Sequence, residues 1–152
     1  MKADEFFAWY LQEPLENFML GTMIVPPITG STALAGPQWG EAGSSRKIFF
    51  KDGTTSLERI IETNFPHSYH YQPWAYTNPV RLLSDYAVST MRAVQDGNKT
   101  RIIWDYGFHA RHRLIKPLLQ LFVTLDWKRN LANGLKVIKA HLETHGTTRR
   151  IR

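Results

Sequence analysis

Residues 43–62 read GSSRKIFFKDGTTSLERIIE, a stretch that is typical of a β-hairpin. Two runs rich in Ile, Phe and Leu flank Asp52-Gly53, a dipeptide that favours a two-residue loop because both turn positions need positive φ. Arg46 would then face Arg59. One face of the hairpin would carry Arg46, Ile48, Phe50, Leu57, Arg59 and Ile61. A three-residue loop would shift the pairing by one residue and bring Glu58 onto the face of Arg46 instead.

The segments before the hairpin predict a strand, short helices and a second strand. Residues 5–12, EFFAWYLQ, are rich in aromatic side chains and are interpreted as a first strand. Pro14 suits the first turn of a short helix, and the paired prolines within residues 21–31 leave room for at most a second helical turn. Residues 31–45 begin as a strand edge and continue as a glycine-rich turn.

Three further strands are predicted after the hairpin. They span residues 64–77, 82–94 and 99–110. The last is the clearest, because apolar and polar residues alternate along its length. One of its faces holds Ile102, Trp104, Tyr106 and Phe108. Asp105 lies on the opposite face and is expected to contact solvent.

A long C-terminal helix is predicted over residues 117–144, where apolar residues recur at mostly helical spacing and Pro117 suits the first turn. The apolar positions in and just before it include Leu114, Leu118, Leu121, Phe122, Leu125, Leu131, Leu135, Ile138 and Leu142. A seven-stranded antiparallel sheet packed against one long helix is an α+β fold. Since a helix cannot fill a concave sheet across its full width, we expect a cavity between the two layers.

Composition indicates one globular domain and excludes several classes of site. The chain has 152 residues, enough for a single domain over residues 1–146 followed by a basic tail over residues 147–152. The net charge is +6, but the basic residues form a tail and a corner at residues 109–116, so we expect no nucleic-acid surface. The absence of cysteine excludes disulfides and thiol catalysis and fits a reducing compartment, so we expect a cytoplasmic protein.

No metal, cofactor or membrane span is predicted. The six histidines are scattered, and the pair His141 and His145 lacks the carboxylate of a zinc signature. The sequence contains no glycine-rich phosphate loop or nucleophile elbow. No apolar run approaches the ~18 residues of a membrane span, so stable membrane insertion is not expected. A homodimer is left open.

Three motifs and the order of the elements resemble the SRPBCC superfamily, the START-like helix-grip proteins, and in particular their polyketide cyclase/dehydrase-like branch. The motifs are G-x-x-R-x(5)-DG-x(4)-E over residues 43–58, Y-x-x-W over 71–74, and T-x-I-x-W-x-Y-x-F over 100–108. The resemblance covers nearly the whole chain. It implies a strongly bent seven-stranded sheet wrapped around the C-terminal helix, two short helices between the first two strands, and a deep, largely apolar cavity that binds lipids, polyketides or similar molecules.

The resemblance also implies which residues line this cavity. They are Arg46, Ile48, Phe50, Glu58, Tyr71, Trp74, Trp104, Tyr106, Phe108, Phe122 and Leu125. One feature departs from the family pattern, because residues 22–30 are proline-rich where a regular second helix is expected. We therefore expect an unusually shaped cavity mouth.

Three functions are compatible with these residues, and the sequence favours the first. The first is a carrier or sensor that binds a hydrophobic small molecule. The second is a cyclase/dehydratase-type enzyme, in which Arg46 would hold an oxyanion or carboxylate. The base would be Glu58 or Asp105, and the proton donor Tyr71 or Tyr106.

The third function is an interaction module whose basic tail docks on an acidic partner or an anionic membrane surface. For Arg46 and Glu58, a structural ion pair at the sheet margin is the favoured interpretation, because an unpaired buried charge is costly.

Overall fold

The computed structural model describes residues 1–148, and of residues 145–148 it describes only the backbone. The α-helices are α1 (Ala3–Tyr10), α2 (Lys116–Phe122) and α3 (Lys128–Thr148), and 3-10 segments span Leu15–Asn17, Pro79–Leu82 and Arg113–Ile115. The strands are β1 (Ile28–Ala33), β2 (Ser45–Phe50), β3 (Thr55–Asn64), β4 (Ser68–Trp74), β5 (Ser84–Asp96) and β6 (Lys99–Ala110).

The strands form one antiparallel sheet in which each strand pairs with the next along the chain, in the order β1-β2-β3-β4-β5-β6. The long C-terminal helix is confirmed, but it is not uniform: a π-helical turn over Val123–Trp127 separates α2 from α3. The architecture is therefore the α+β arrangement that the sequence predicts, an antiparallel sheet and a long C-terminal helix.

The predicted first strand is wrong, because residues 5–12 lie largely in helix α1. The buried residues of α1 are Ala3, Phe6, Phe7 and Tyr10, which follow the i, i+3, i+4, i+7 spacing of a helix. Asp4 and Glu5 stand in the first turn, where carboxylates favour the helix dipole. The described sheet accordingly has six strands rather than seven, and only the 3-10 segment Leu15–Asn17 lies between α1 and β1.

The predicted two-residue hairpin loop is also wrong, and the three-residue alternative is correct. Phe49 pairs with Thr55 and Arg46 pairs with Glu58. Gly53 has φ +82°, so it occupies the left-handed position that follows the turn in a three-residue loop. The carboxylate of Asp52 also accepts a hydrogen bond from the Thr54 amide, at 2.9 Å, which fixes the loop one residue longer than the bare dipeptide predicts.

The shifted register exchanges the two faces of β3. Ser56, Glu58 and Ile60 are buried with Arg46, Ile48 and Phe50 of β2. Leu57, Arg59 and Ile61, which the two-residue loop would have placed on this face, lie on the other face, where Arg59 contacts Gln72 and the ring of Trp74. Because strand side chains alternate, a slip of one residue moved the whole set.

Two hydrophobic clusters fill the space between the sheet and the helices. One packs α1 against the sheet and α3, and the other packs α2 and the π turn against β2 and the residue 15–25 segment. Gly134 of α3 permits a close approach, since a Cβ there would lie 3.3 Å from the Phe18 carbonyl oxygen and 3.6 Å from the Trp104 ring.

Among residues 1–148, no helix is long and apolar enough to cross a membrane. The predicted division into a domain over residues 1–146 and a tail stays a prediction, and Arg149, Arg150 and Arg152 of that tail lie outside the described residues. The predicted cytoplasmic location and the homodimer also stay predictions.

Candidate functional site

A small cavity lies between the inner face of the sheet, the residue 15–28 segment and the start of α3. Its volume is about 70 Å³. The sheet contributes Arg46, Ile48, Phe50, Ser56, Glu58, Tyr71, Pro73, Trp104, Tyr106 and Phe108. The remaining wall is formed by Tyr10, Leu15, Met19, Val25, Pro26, Ile28, Tyr76, Asn78, Val80, Trp127 and Asn130.

The cavity is smaller than most ligand sites. Sites for drug-sized molecules span about 300–1,000 Å³, and a dry cavity of about 150 Å³ accepts benzene. Only about 70 Å³ is free, because the protein's own aromatic rings occupy most of the space between the sheet and the helix. The rings of Tyr106 and Trp127, for example, lie only 4.7 Å apart between centroids. A lipid-sized ligand would therefore have to displace side chains or the residue 19–27 segment.

Arg46 and Glu58 form a buried ion pair on the cavity wall. Arg46 Nε and one terminal guanidinium nitrogen both lie 2.7 Å from Glu58 Oε2, and each side chain is 9% exposed. The Trp39 ring stacks on the guanidinium, with its centroid 3.8 Å from Arg46 Cζ. Two adjacent strands supply the charges at directly paired positions, so the hairpin register creates the pair.

Aromatic hydroxyl and indole groups form a hydrogen-bonded row along the sheet. Trp104 Nε1 lies 2.8 Å from the Tyr71 hydroxyl and 3.0 Å from Ser89 Oγ. Burial raises the pKa of the Tyr71 hydroxyl well above its usual value, and the nearby Glu58 charge raises it further. Burial likewise raises the pKa of Tyr106. Both hydroxyls therefore stay protonated at neutral pH and can donate hydrogen bonds.

Two buried polar side chains on the helix side of the cavity have no hydrogen-bond partner. They are the indole Nε1 of Trp127 and both amide atoms of Asn130. Asn130 is only 1% exposed and Trp127 is 8% exposed. An unpaired buried polar group costs about 1–3 kcal/mol, so these atoms mark a place where a partner would be stabilising.

The residue 19–27 segment covers the cavity as an irregular loop. Met19, Val25 and Pro26 line the cavity, and Thr22 Oγ1 donates a hydrogen bond of 2.5 Å to Asp126 Oδ2 in the π turn. Gly21 is required by its backbone, since it has φ +78° and a Cβ there would lie 2.4 Å from Pro27 N. The proline-rich segment thus replaces a regular helix with a loop, as the sequence predicts for the cavity mouth.

A second hollow, with a volume of about 1,510 Å³, lies near the start of α1 and the β5–β6 hairpin. It is an open groove whose wall includes charged residues such as Lys2, Asp4 and Arg92. The smaller cavity is the better candidate, because its lining is mainly apolar and includes a few buried polar groups, the composition typical of ligand sites.

Comparison of the whole chain with solved structures gives similarities that extend over nearly its full length. Ara h 8.0201 superposes with a TM-score of 0.68 at 16% identity, covering 95% of this chain and 91% of that one. Ginseng major latex-like protein 151 from Panax ginseng gives 0.65 at 17% identity, with 92% and 88% covered. Protein XoxI from Bacillus cereus gives 0.63 at 17% identity, with 95% and 90% covered.

The chain shares the fold of these proteins, which is the helix-grip arrangement that the sequence resemblance implies. No protein-family model matches the sequence, and no curated protein sequence matches it significantly. Sequence identities of 16–17% to the solved structures show the fold alone. The function of this helix-grip protein therefore depends on the residues of its own cavity.

Of the cavity-lining residues that the resemblance implies, three do not reach the cavity of this helix-grip protein. Trp74 lies three residues after Tyr71 and therefore on the opposite face of β4, under Arg59. Phe122 is buried but packs against Phe108, 5.5 Å away between centroids. Leu125 is 64% exposed, on the outside of the π turn. Asp105 pairs with Arg92 on the outer face, so it does not reach the cavity either.

Sequence reasoning missed several wall residues, above all Trp127 and Asn130. The signal that could have found Trp127 is its distance from Phe122 in the sequence. These two large aromatic residues are five positions apart, whereas residues on one face of an α-helix are three or four apart. Such a step indicates a π turn, and π turns often occur at functional sites. Asn130 follows Trp127 by three residues and so lies on the same side.

Among the described residues, no three His, Cys, Asp or Glu side chains come close enough together to hold a metal ion.

Proposed function

We propose that this protein is a carrier or sensor that binds a hydrophobic small molecule bearing one hydrogen-bonding group, in the cavity between the sheet and the C-terminal helix. The observation that carries the proposal is the pair of unpartnered polar side chains, Trp127 and Asn130, on the wall of an otherwise largely apolar cavity. A ligand hydroxyl could accept from Trp127 Nε1 or Asn130 Nδ2 and donate to Asn130 Oδ1, while the apolar part of the ligand would contact the rings of β6. A ligand carbonyl could accept from the two N–H donors only.

Binding requires the cavity to open. The residue 19–27 segment is the element that can move, because it forms neither helix nor strand. Among the described side-chain hydrogen bonds, one joins it to the π turn, from Thr22 to Asp126. Outward displacement of residues 20–26 would enlarge the cavity while the backbone hydrogen bonds at the two ends of the segment, from Ile28 N to Met19 O and from Lys51 N to Pro27 O, stay in place. The ligand would then take the volume that the loop side chains vacate.

The test uses 1-hexanol and heptane, a pair that differs by exchange of a hydroxyl for a methyl group. Spectra of ¹⁵N-labelled protein would follow the indole N–H signals, with that of Trp127 assigned from a Trp127→Phe variant. The proposal predicts that hexanol shifts the Trp127 signal and binds more tightly than heptane. The Trp74 indole, on the outer face of the sheet, is the internal control and should not move.

Two results would contradict the proposal. An affinity ratio of hexanol to heptane that is unchanged in an Asn130→Leu variant would show that the Asn130 amide plays no part in recognition. A Trp127 signal that stays in place at saturating hexanol would show that the cavity is not the binding site.

An enzyme is the second candidate, because Arg46 and Glu58 share the cavity wall. Glu58 could remove a proton next to a ligand carbonyl, and the Arg46 guanidinium could stabilise the resulting enolate. The test is exchange of the α-hydrogens of 2-hexanone in D₂O, followed by NMR. Wild-type protein should accelerate the exchange and a Glu58→Gln variant should not. Equal exchange rates with the two proteins would exclude this chemistry for Glu58.

The interaction module built on the basic tail is left as a prediction of the sequence, since residues 149–152 lie outside the described part of the chain. Salt-sensitive binding that is lost on deletion of residues 149–152 is the result it requires.

A further inference from the structure

Four leucines that the sequence places in a helical apolar pattern lie on the surface instead. Leu114 is 88% exposed, Leu118 51%, Leu121 53% and Leu125 64%. Their spacing of four, three and four residues puts them on one side of the helical segment that runs from Arg113 to Trp127. We call this set the leucine face. The buried side of the same segment is formed by Leu119, Phe122 and Trp127.

The leucine face is flanked by positive charge at both ends. Exposed basic residues within residues 111–129 are Arg111, Arg113, Lys116, Lys128 and Arg129. The only acidic residue in that stretch is Asp126, which is 6% exposed and bonded to Thr22. Asp85 lies 3.8 Å from Arg111 and offsets that charge in part. The surface around the leucines is therefore distinctly cationic.

The loop beside the π turn also exposes apolar side chains. Met23 is 96% exposed, and Leu20 is 55% exposed. The neighbouring Thr22 holds this loop to Asp126, directly after Leu125. Clusters of exposed apolar side chains such as the leucine face are typical of interaction surfaces.

We propose that the leucine face docks peripherally on a membrane surface that contains anionic lipid. A helix with leucines on its exposed side and lysine or arginine at both ends is suited to the interface, where apolar side chains enter the acyl boundary and cations contact headgroups. A second copy of this chain fits less well, because an isologous contact would bring the two cationic clusters together. Docking of this kind does not depend on a ligand in the cavity.

The direct test is co-sedimentation of the full-length protein with lipid vesicles. Phosphatidylcholine vesicles are compared with phosphatidylcholine vesicles that contain about one third phosphatidylserine. The wild-type protein should sediment with the vesicles that contain phosphatidylserine and stay in the supernatant with pure phosphatidylcholine vesicles. Its affinity for the anionic vesicles should fall as the NaCl concentration is raised.

Two double variants separate the apolar and the charged contributions. Leu114→Ser with Leu125→Ser should lower the affinity about tenfold or more, since two side chains no longer enter the acyl boundary. Lys116→Gln with Lys128→Gln should lower it about fivefold per charge. The matched control, Ile61→Ser with Lys51→Gln, changes an exposed apolar residue of β3 and an exposed lysine of the β2–β3 loop and should bind like the wild type.

The proposal is overturned if the wild type stays in the supernatant with phosphatidylserine vesicles, or if the leucine variant binds as tightly as the wild type. The same conclusion follows if replacing Arg149, Arg150 and Arg152 by glutamine abolishes binding while the leucine variant retains it, because the tail would then account for the interaction. Circular dichroism of each variant confirms that the fold is intact.

Discussion

Arg46 is enclosed by Glu58 on one side and by the Trp39 ring on another, and it lies on the cavity wall. Removing one member of a buried ion pair leaves the other charge without compensation. We expect Glu58→Ala to lower the free energy of unfolding by about 3–5 kcal/mol, as measured by urea denaturation. A double variant, Arg46→Met with Glu58→Leu, should recover most of that loss because it leaves no charge behind.

The exposed ion pair between Arg92 and Asp105 on the outer face of the sheet is the control for this measurement. Arg92→Ala should change the free energy of unfolding by less than about 1 kcal/mol. If Glu58→Ala cost no more than Arg92→Ala, the Arg46–Glu58 pair would not be the desolvated contact that its burial indicates.

Asn130 offers a second test at the residue scale. Since its amide atoms are buried and unpartnered, Asn130→Leu should raise the free energy of unfolding of the ligand-free protein by about 1–3 kcal/mol, while weakening hexanol binding. Asn78 is a matched control, because it is equally buried but its Oδ1 accepts a hydrogen bond of 3.1 Å from the Val80 amide. Asn78→Leu should therefore destabilise the protein. Destabilisation by both variants would show that Asn130 is already satisfied.

At the scale of elements, the hairpin between β2 and β3 decides which charges reach the cavity. Gly53→Ala should cost about 1 kcal/mol, because the residue has φ +82° and its surroundings leave open space for a methyl group. The penalty is thus one of backbone conformation alone. It is measured by thermal or urea unfolding of the variant.

Gly107→Ala is the control for the hairpin. Gly107 lies in strand β6, and a Cβ there would make an ordinary contact of 3.8 Å with Val88 of β5, so this change should be neutral or slightly stabilising. If the two substitutions cost the same, the left-handed position of Gly53 would not be what holds the three-residue loop.

The elements differ in how far they can be predicted from sequence. Strand β6 was predicted at its observed bounds, because alternation along twelve residues is unambiguous. Helix α1 was missed because its aromatic residues suggest a strand, although their spacing of three and four residues is helical. The length of the hairpin loop was predicted wrongly because the Asp-Gly dipeptide alone favours a two-residue loop. The hydrogen bond from the Thr54 amide to the Asp52 carboxylate, which stabilises the longer loop, involves a residue outside that dipeptide.

On the scale of the whole molecule, the buried tyrosines set the response to alkaline pH. Burial raises the pKa of Tyr10, Tyr69, Tyr71, Tyr76 and Tyr106. An unfolded tyrosine ionises near pH ~10, whereas these stay protonated in the folded chain.

The unfolded state therefore loses protons first, so these tyrosines leave stability unchanged below pH ~10 and lower it increasingly above that value. Absorbance at the wavelength of tyrosinate should rise together with loss of tertiary circular dichroism. Ionisation of the buried tyrosines in a protein that remains folded would contradict this expectation.

The helix-grip fold was predicted from the sequence, while the shape of the cavity was not. Element order and the motif around Trp104 and Tyr106 predict the fold, because they depend on strand patterns that the fold requires. The volume of about 70 Å³ results from how rings such as Tyr106 and Trp127 pack across the cavity. That packing depends on the π turn and on the loop over residues 19–27, which local patterns do not specify.

The central claim is that the cavity takes up a hydrophobic small molecule. The most direct test is native mass spectrometry of the purified protein before and after incubation with the organic-solvent extract of its host cells, followed by identification of whatever is released. The account predicts an adduct of defined mass on the wild type that is weaker or absent on Asn130→Leu. A wild-type protein that stays unliganded after incubation, or an adduct that Asn130→Leu retains in full, would contradict it.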